Sequence, residues 1–231
     1  MVALSLALLA WSGSVFAQPE CVILLHGLAR TSDSMSALAE ALEKEGFMVA
    51  NVDYPSRQHP IEELAEIAIP AGLKTCAGHR THFVTHSLGG ILVRYHLQHH
   101  AVEALGRVVM IGPPNQGSEV VDDYRKVPGF KLLNGPAGLQ LGTDSNSVPR
   151  ALGEVAFDLG VIAGTRTMNP ILSQSLPNPD DGKVSVANTK VAGMADFIAL
   201  PHTHTFMMQA EPVIEQTVHY LHHGRFRHDN P

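Results

Sequence analysis

Short apolar runs alternate with longer amphipathic stretches along the chain after residue 17. This alternation is typical of βαβ units around a parallel sheet, whose strands are buried on both faces. The pattern predicts an α/β fold of about six mostly parallel strands with helices on both faces. Strands are predicted at about 21–25, 47–52, 81–85, 107–111, 160–164 and within 190–200, and helices at about 34–45, 61–69, behind residue 87 to about 100, and 205–222.

The stretch 112–152 breaks this rhythm because glycine and proline are frequent in it. It is predicted to be an insertion of loops and short helices. Its apolar side chains suit either a mobile lid or a fixed wall over an apolar acyl pocket, so the pattern leaves a lipase and a short-chain esterase both open. These side chains are Phe130, Leu132, Leu133, Leu139 and Leu141.

The first residues resemble a targeting segment. An uncharged apolar run, 2–11, precedes Ser12-Gly13-Ser14 and the small-residue site ending at Ala17. This predicts a signal peptide, 1–17, cut after Ala17, and a single domain, 18–231, in a secreted or periplasmic protein. The run is short for a membrane span, so no stable membrane anchor is predicted. The alternatives are an uncleaved anchor and a buried first strand.

Composition narrows the classes of partner. Hydrophobic residues make up 45% of the 231 residues and charged residues 16%, which is enough apolar material for a core. The formal charge of −6 argues against nucleic acid as a partner, because phosphate binding needs a basic face.

Cys21 and Cys76 are the two cysteines, and an oxidising compartment would permit a disulfide between them. Two buried thiols are the alternative.

The sharpest chemical signal is Thr85-His86-Ser87-Leu88-Gly89-Gly90, between a predicted strand and a predicted helix. A tight strand-to-helix turn exposes a serine hydroxyl at a helix N-terminus, where the dipole favours developing negative charge. Ser87 is therefore the candidate nucleophile. The usual motif is G-x-S-x-G, and Thr85 replaces its first glycine. An ordinary N-cap serine is the alternative interpretation.

Acyl transfer also needs donors aimed at the oxyanion. The backbone N–H of Leu88, next to the nucleophile, is one candidate. The N–H of Leu28, on the loop after the first strand, is the other, because open α/β sheets place their sites at the carboxyl ends of neighbouring strands. His26 on the same loop is predicted to be structural, since a catalytic base comes late in this arrangement.

The acid and then the base are expected after the nucleophile along the chain. Asp181 lies in the polar loop after the fifth predicted strand, with Asp180 as its rival. His204, directly before the closing helix, is preferred as the base over His202. A His-x-His pair can instead bind a metal, but no further ligand stands at convincing spacing, so no metal is predicted.

Together these segments resemble bacterial lipases and esterases of the α/β-hydrolase superfamily, over nearly all of residues 20–224. The resemblance implies a Ser87-Asp181-His204 triad, no cofactor, and a small-molecule or lipid ester as substrate. It places the acid directly before Gly182. Two early antiparallel strands are absent, which implies a minimal version of the fold. The matching segments are 22–28, 84–90, 113–118, 181–184 and 204–206.

The resemblance also indicates how the two cysteines pair, and it leaves two other functions open. In that fold the strands near Cys21 and Cys76 are neighbours, which implies a disulfide at the end of the sheet away from the site. Acyl transfer or thioester hydrolysis on the same triad is a second interpretation. A catalytically silent protein that binds lipid or another protein is a third. The sequence does not indicate an oligomeric state.

Overall fold

Six strands form one parallel sheet in the computed structural model, which describes residues 18–228. The predicted signal peptide, 1–17, lies outside the described residues. The strands are β1 (Cys21–Leu25), β2 (Met48–Val52), β3 (Thr81–His86), β4 (Leu105–Ile111), β5 (Leu159–Gly164) and β6 (Asp196–Leu200). Their order across the sheet is β2-β1-β3-β4-β5-β6, and every pairing is parallel. The predicted sheet is confirmed.

Helices connect the strands and cover both faces of the sheet. They are α1 (Ser36–Lys44), α2 (Ile61–Thr75), α3 (Leu88–His99), α4 (Glu119–Tyr124), α5 (Phe130–Leu139), α6 (Val148–Ala151), α7 (Pro170–Ser173), α8 (Val186–Thr189) and α9 (Glu211–His223). Short 3₁₀ turns at Ser32–Met35 and Met207–Gln209 precede α1 and α9. Helices α4, α5 and α6 occupy the predicted insertion, 112–152.

Strand β1 shows why a central strand of this sheet is buried along its whole length. Ile23 and Leu25 point to the side covered by α2 and α3, whereas Val22 and Leu24 point to the side of α1 and α9. All four side chains are fully buried. Successive side chains of a strand point to opposite faces, so a strand between two helical layers has no solvent-facing position.

Two predicted helix boundaries are wrong. Helix α2 does not end at Pro70 but continues to Thr75. Pro70 is exposed and has no N–H to donate to the preceding turn of the helix. Beyond it, buried Gly72 lies against Ile23, and this packing on the sheet outweighs the missing hydrogen bond. The closing helix begins at Glu211 rather than near 205, because Pro212 occupies its first turn, where a missing N–H costs nothing.

Cys21 and Cys76 form a disulfide, with their Cα atoms 5.6 Å apart. Cys21 begins β1 and Cys76 follows α2, so the bond lies at the amino-terminal edge of the sheet. It closes a loop across a separation of 55 residues, for which the chain-entropy model gives a stabilisation of about 4 kcal/mol. Within residues 18–228, no helix combines the length and apolar character needed to cross a bilayer.

Candidate active site

Ser87 occupies a sharp turn between β3 and α3. Its backbone has φ 53° and ψ −117°, a conformation that non-glycine residues adopt rarely and at an energetic cost. The turn is possible because α3 approaches β1 very closely. A Cβ atom on Gly89 would lie 2.6 Å from the Leu25 carbonyl oxygen, so only glycine fits there. Ser87 is 8% exposed and opens into a cavity.

Thr85, which replaces the first glycine of the usual motif, is accommodated by the helix. It is fully buried, and a Cβ atom on Gly90 would lie 3.2 Å from its hydroxyl oxygen. Gly90 therefore provides the space that a glycine at 85 would otherwise provide. Among the described residues the Thr85 hydroxyl has no hydrogen-bond partner.

The structure brings the predicted base and acid to Ser87. The Ser87 hydroxyl lies 3.0 Å from His204 Nε2, within donating distance. On the other side of the ring, His204 Nδ1 donates to Asp181 Oδ2 at 2.7 Å. Asp181 Oδ1 accepts the N–H groups of Lys183 at 2.9 Å and Val184 at 2.8 Å, and these two bonds hold the carboxylate in place.

The rival residues lie elsewhere. Asp180 turns away from the imidazole: one oxygen accepts the Gly182 N–H at 2.7 Å and the other accepts the Ser173 hydroxyl at 2.6 Å. The side chain of His202 makes no hydrogen bond within residues 18–228 and does not line the cavity over Ser87.

The two predicted oxyanion donors lie just beyond the carboxyl ends of neighbouring strands. Leu28 is on the loop after β1, Leu88 begins α3 next to Ser87 after β3, and these two strands pair in register. Leu88 is at the first helical position, where an N–H has no partner within the helix. Among the described residues, the Leu28 N–H also has no acceptor. Both amides are therefore free to bind a ligand oxygen.

His26 has the structural position predicted for it. Its ring is fully buried and stacks on Tyr54 with the centroids 4.0 Å apart. Its Nδ1 donates to the Gly27 carbonyl at 2.8 Å, and its Nε2 accepts the Tyr54 N–H at 3.3 Å. These contacts hold the loop that carries Leu28.

Sequence reasoning missed His86, which contacts the predicted base, His204. Its Nε2 donates to the backbone carbonyl of His204 at 3.0 Å, and the two ring centroids are 4.9 Å apart. Burial, with repulsion from His204, holds the pKa of His86 well below its usual range. The ring is therefore neutral, with its proton on the nitrogen that faces His204. The signal available in the sequence was a histidine directly before the candidate nucleophile, at the end of a strand predicted to be buried.

Because His86 is buried and neutral, we expect the folded protein to lose stability as the pH falls. Below a pH of about 6.5 the unfolded chain protonates His86 and the folded chain does not, so the free energy of unfolding falls as pH falls. The contribution reaches about 1.4 kcal/mol per pH unit for one proton. His86→Gln retains a donor but cannot titrate, and is expected to flatten this slope between pH 7 and 5 in urea unfolding experiments.

The exposed His223→Gln controls for the loss of a histidine. Burial also lowers the pKa values of His26 and His82, so part of the slope is expected to persist in His86→Gln. Identical slopes for His86→Gln and wild type would show that His86 is not the buried titrating group inferred from the structure.

The cavity over Ser87 has a volume of about 580 Å³. Much of its wall is apolar and comes from the insertion. The apolar lining includes Val120, Val121, Phe130, Leu133 and Leu141. Leu132 does not line this cavity and is 83% exposed.

Arg94 joins the insertion to the helix behind the nucleophile. This buried side chain of α3 donates to the carbonyl of Asn115 at 2.8 Å, of Pro149 at 3.2 Å and of Gly153 at 2.6 Å. Both ends of the insertion are thereby tied to α3. Burial lowers the pKa of Arg94 to about 10, so the guanidinium is still charged at neutral pH.

A parallel sheet in the order β2-β1-β3-β4-β5-β6, with helices on both faces and a strained serine after β3, is the arrangement of a minimal α/β-hydrolase fold, and the chain has this fold. Solved structures similar to it include the mature lipase BlEst2 of Bacillus licheniformis. That match has 19% identity over 91% of this chain and 94% of the lipase, with a TM-score of 0.67.

Two further structures extend the comparison. Phospholipase PlaB of Legionella pneumophila is 18% identical over 87% of this chain and 56% of its own, with a TM-score of 0.65. An extracellular α/β-hydrolase from a Paenibacillus species is 15% identical over 87% and 98%, with a TM-score of 0.57. No family model matches the sequence, and no curated protein matches it significantly. At these identities the similarity establishes the fold.

Proposed function

We propose that this protein is a serine hydrolase that cleaves carboxylic esters through an acyl-enzyme. The observation that carries the proposal is the continuous chain of contacts from Ser87 to His204 to Asp181, at 3.0 Å and 2.7 Å. The similar lipases and hydrolases among solved structures support the same class of reaction.

In the proposed mechanism, Ser87 Oγ attacks the ester carbonyl as its proton passes to His204 Nε2. Asp181 keeps the second proton on Nδ1 and stabilises the imidazolium. The N–H groups of Leu28 and Leu88 bind the oxyanion, and each would lower the barrier by about 3 kcal/mol. His204 then protonates the departing alkoxide. Water, deprotonated by the same imidazole, hydrolyses the acyl-enzyme.

The lining of the cavity favours an apolar acyl group. Each methylene that leaves water for an apolar wall contributes about 0.8 kcal/mol. We therefore expect kcat/KM for p-nitrophenyl esters to rise from acetate toward octanoate, by several-fold per methylene, until the acyl chain fills the apolar part of the cavity. The chain length at the maximum would distinguish an esterase from a lipase.

Covalent labelling provides a direct test of the nucleophile. A fluorophosphonate is expected to phosphonylate Ser87, and mass spectrometry of the peptide that contains residues 81–94 would locate the adduct. A folded protein that neither reacts with the reagent nor hydrolyses any ester would contradict the proposal. It would favour a binding role without catalysis. Labelling of Ser87 without hydrolysis of any ester would instead favour acyl transfer to another acceptor.

We also propose that the protein is exported and that residues 1–17 are removed. The disulfide between Cys21 and Cys76 supports this, because such bonds persist in oxidising compartments.

A further inference from the structure

A second cavity adjoins the one over Ser87. It is a polar groove of about 980 Å³, and the two share Ala29, Arg30 and Arg57. Arg30 lies two residues after Leu28 on the loop 26–30, the oxyanion loop, and its Nη2 donates to the carbonyl of Thr205 at 3.3 Å. Its guanidinium therefore lies beside the residue that follows the catalytic base. Arg57 is exposed on the loop after β2.

The backbone at Arg57 is held against the insertion. The chain of α5 is kinked at Gly135, where a Cβ atom would collide with the Arg57 carbonyl. The neighbouring Ser56 hydroxyl accepts the Ala29 N–H at 3.1 Å, which links this loop to the oxyanion loop. Both arginines thus project from backbone that is fixed relative to Ser87.

Positive charge predominates on the lining of the cavity over Ser87. Three cationic side chains, Arg30, Arg57 and Lys183, line the cavity over Ser87, and none of them forms an ion pair within residues 18–228. No carboxylate is among the residues that line this cavity. This concentration of positive charge occurs in a chain whose formal charge is −6.

The carboxylates of the region lie in the polar groove. They are Asp33 and Asp53. Asp53 Oδ1 accepts a hydrogen bond from the Ser32 N–H at 3.0 Å. They disfavour an anion that extends far into the groove. The position best suited to an anion is therefore the junction of the two cavities, beside Arg30 and Arg57.

We propose that the ester substrate carries an anionic group, phosphate or carboxylate, on its alcohol portion, and that Arg30 and Arg57 bind it. This inference rests on the proposed function. The apolar wall receives the acyl chain, so the alcohol portion extends toward the polar groove. Guanidinium groups bind phosphate and carboxylate oxygens through paired charged hydrogen bonds. The anionic group itself is not cleaved: the acyl carbon–oxygen bond breaks, and His204 protonates the released alcohol.

The test uses esters that share an octanoyl chain and differ in the alcohol. They are 1-octanoylglycerol, its 3-phosphate, and the octanoyl ester of glyceric acid, which carries a carboxylate. We expect kcat/KM for at least one anionic ester to exceed that for the neutral ester about tenfold or more, the gain typical of a charged hydrogen bond. The preferred anion would identify the group as phosphate or carboxylate.

Arg30→Gln and Arg57→Gln are each expected to lower the ratio of anionic to neutral kcat/KM by about tenfold or more. Arg225→Gln removes the same charge from an exposed position that lines neither cavity, and is expected to leave the ratio unchanged. A wild-type ratio near one, or equal ratios in wild type and both arginine variants, would overturn the inference.

Binding to the Ser87→Ala protein separates this inference from the proposed function. Calorimetry with the intact esters requires no turnover. Tighter binding of an anionic ester than of the neutral one, lost on adding Arg57→Gln, would support the arginine site even if no ester were hydrolysed. Equal binding of all three esters would count against the site even if Ser87 proved to be the nucleophile.

Discussion

Replacing Ser87 with alanine is expected to lower kcat/KM for a p-nitrophenyl ester by at least about a thousandfold. The change removes the one hydroxyl oxygen that lies 3.0 Å from His204 Nε2. Residual activity is expected, because the proposed oxyanion donors and the cavity would still favour attack by water. Alanine and serine are close in size, so the fold should be retained, and circular dichroism would verify this.

A suitable control is Ser145→Ala, which removes a hydroxyl from an exposed loop of the insertion. It is expected to match wild type in initial-rate assays. If Ser87→Ala retained full activity while folded, another residue would have to be the nucleophile, and the proposed mechanism would be wrong at its first step.

Asp181→Asn is expected to lower kcat by about 10⁴-fold, the loss found when the orienting aspartate of such a triad becomes asparagine. The asparagine oxygen can still accept the N–H groups of Lys183 and Val184. Its NH₂ group then faces His204 Nδ1, which has to become the acceptor. The proton moves to Nε2, and the imidazole can no longer take the proton of Ser87.

Asp180→Asn is the matched control, since it makes the same chemical change one residue away. Asp180 accepts hydrogen bonds from Gly182 and Ser173 and does not contact His204. Its replacement is expected to affect stability more than kcat. A larger loss of kcat in Asp180→Asn than in Asp181→Asn, with both proteins folded, would reverse the assignment of the acid.

Much of the fold was predictable because burial in this sheet is periodic and local. Leu24 and Val22 face one helical layer and Ile23 and Leu25 the other, so an uninterrupted apolar run identifies the strand. Ser87 was predictable from its place between such a run and a helix. Chain order placed the acid and the base after Ser87. Asp181 was preferred to Asp180 because the resemblance puts the acid directly before Gly182, and His204 to His202 because it stood before the predicted closing helix.

The features that were not predicted depend on contacts distant in sequence. Helix α2 passes Pro70 because Gly72 beyond it packs against Ile23 on β1. His86 contacts a carbonyl 118 positions away. The sequence next to such a residue does not identify the distant residue that it contacts, so its role is found only from the folded structure.

The disulfide has a consequence for the covalent integrity of the site. Leu28, Arg30 and Arg57 all lie between Cys21 and Cys76 along the chain. A protease that cuts one peptide bond in this interval would not release a fragment, because the bridge still joins the two pieces. A nicked molecule would migrate as a single species under denaturing conditions until a reductant is added. A cut between Arg30 and Arg57 would then separate Leu28 and Arg30 from Arg57 and Ser87. A cut between Arg57 and Cys76 would separate all three from Ser87.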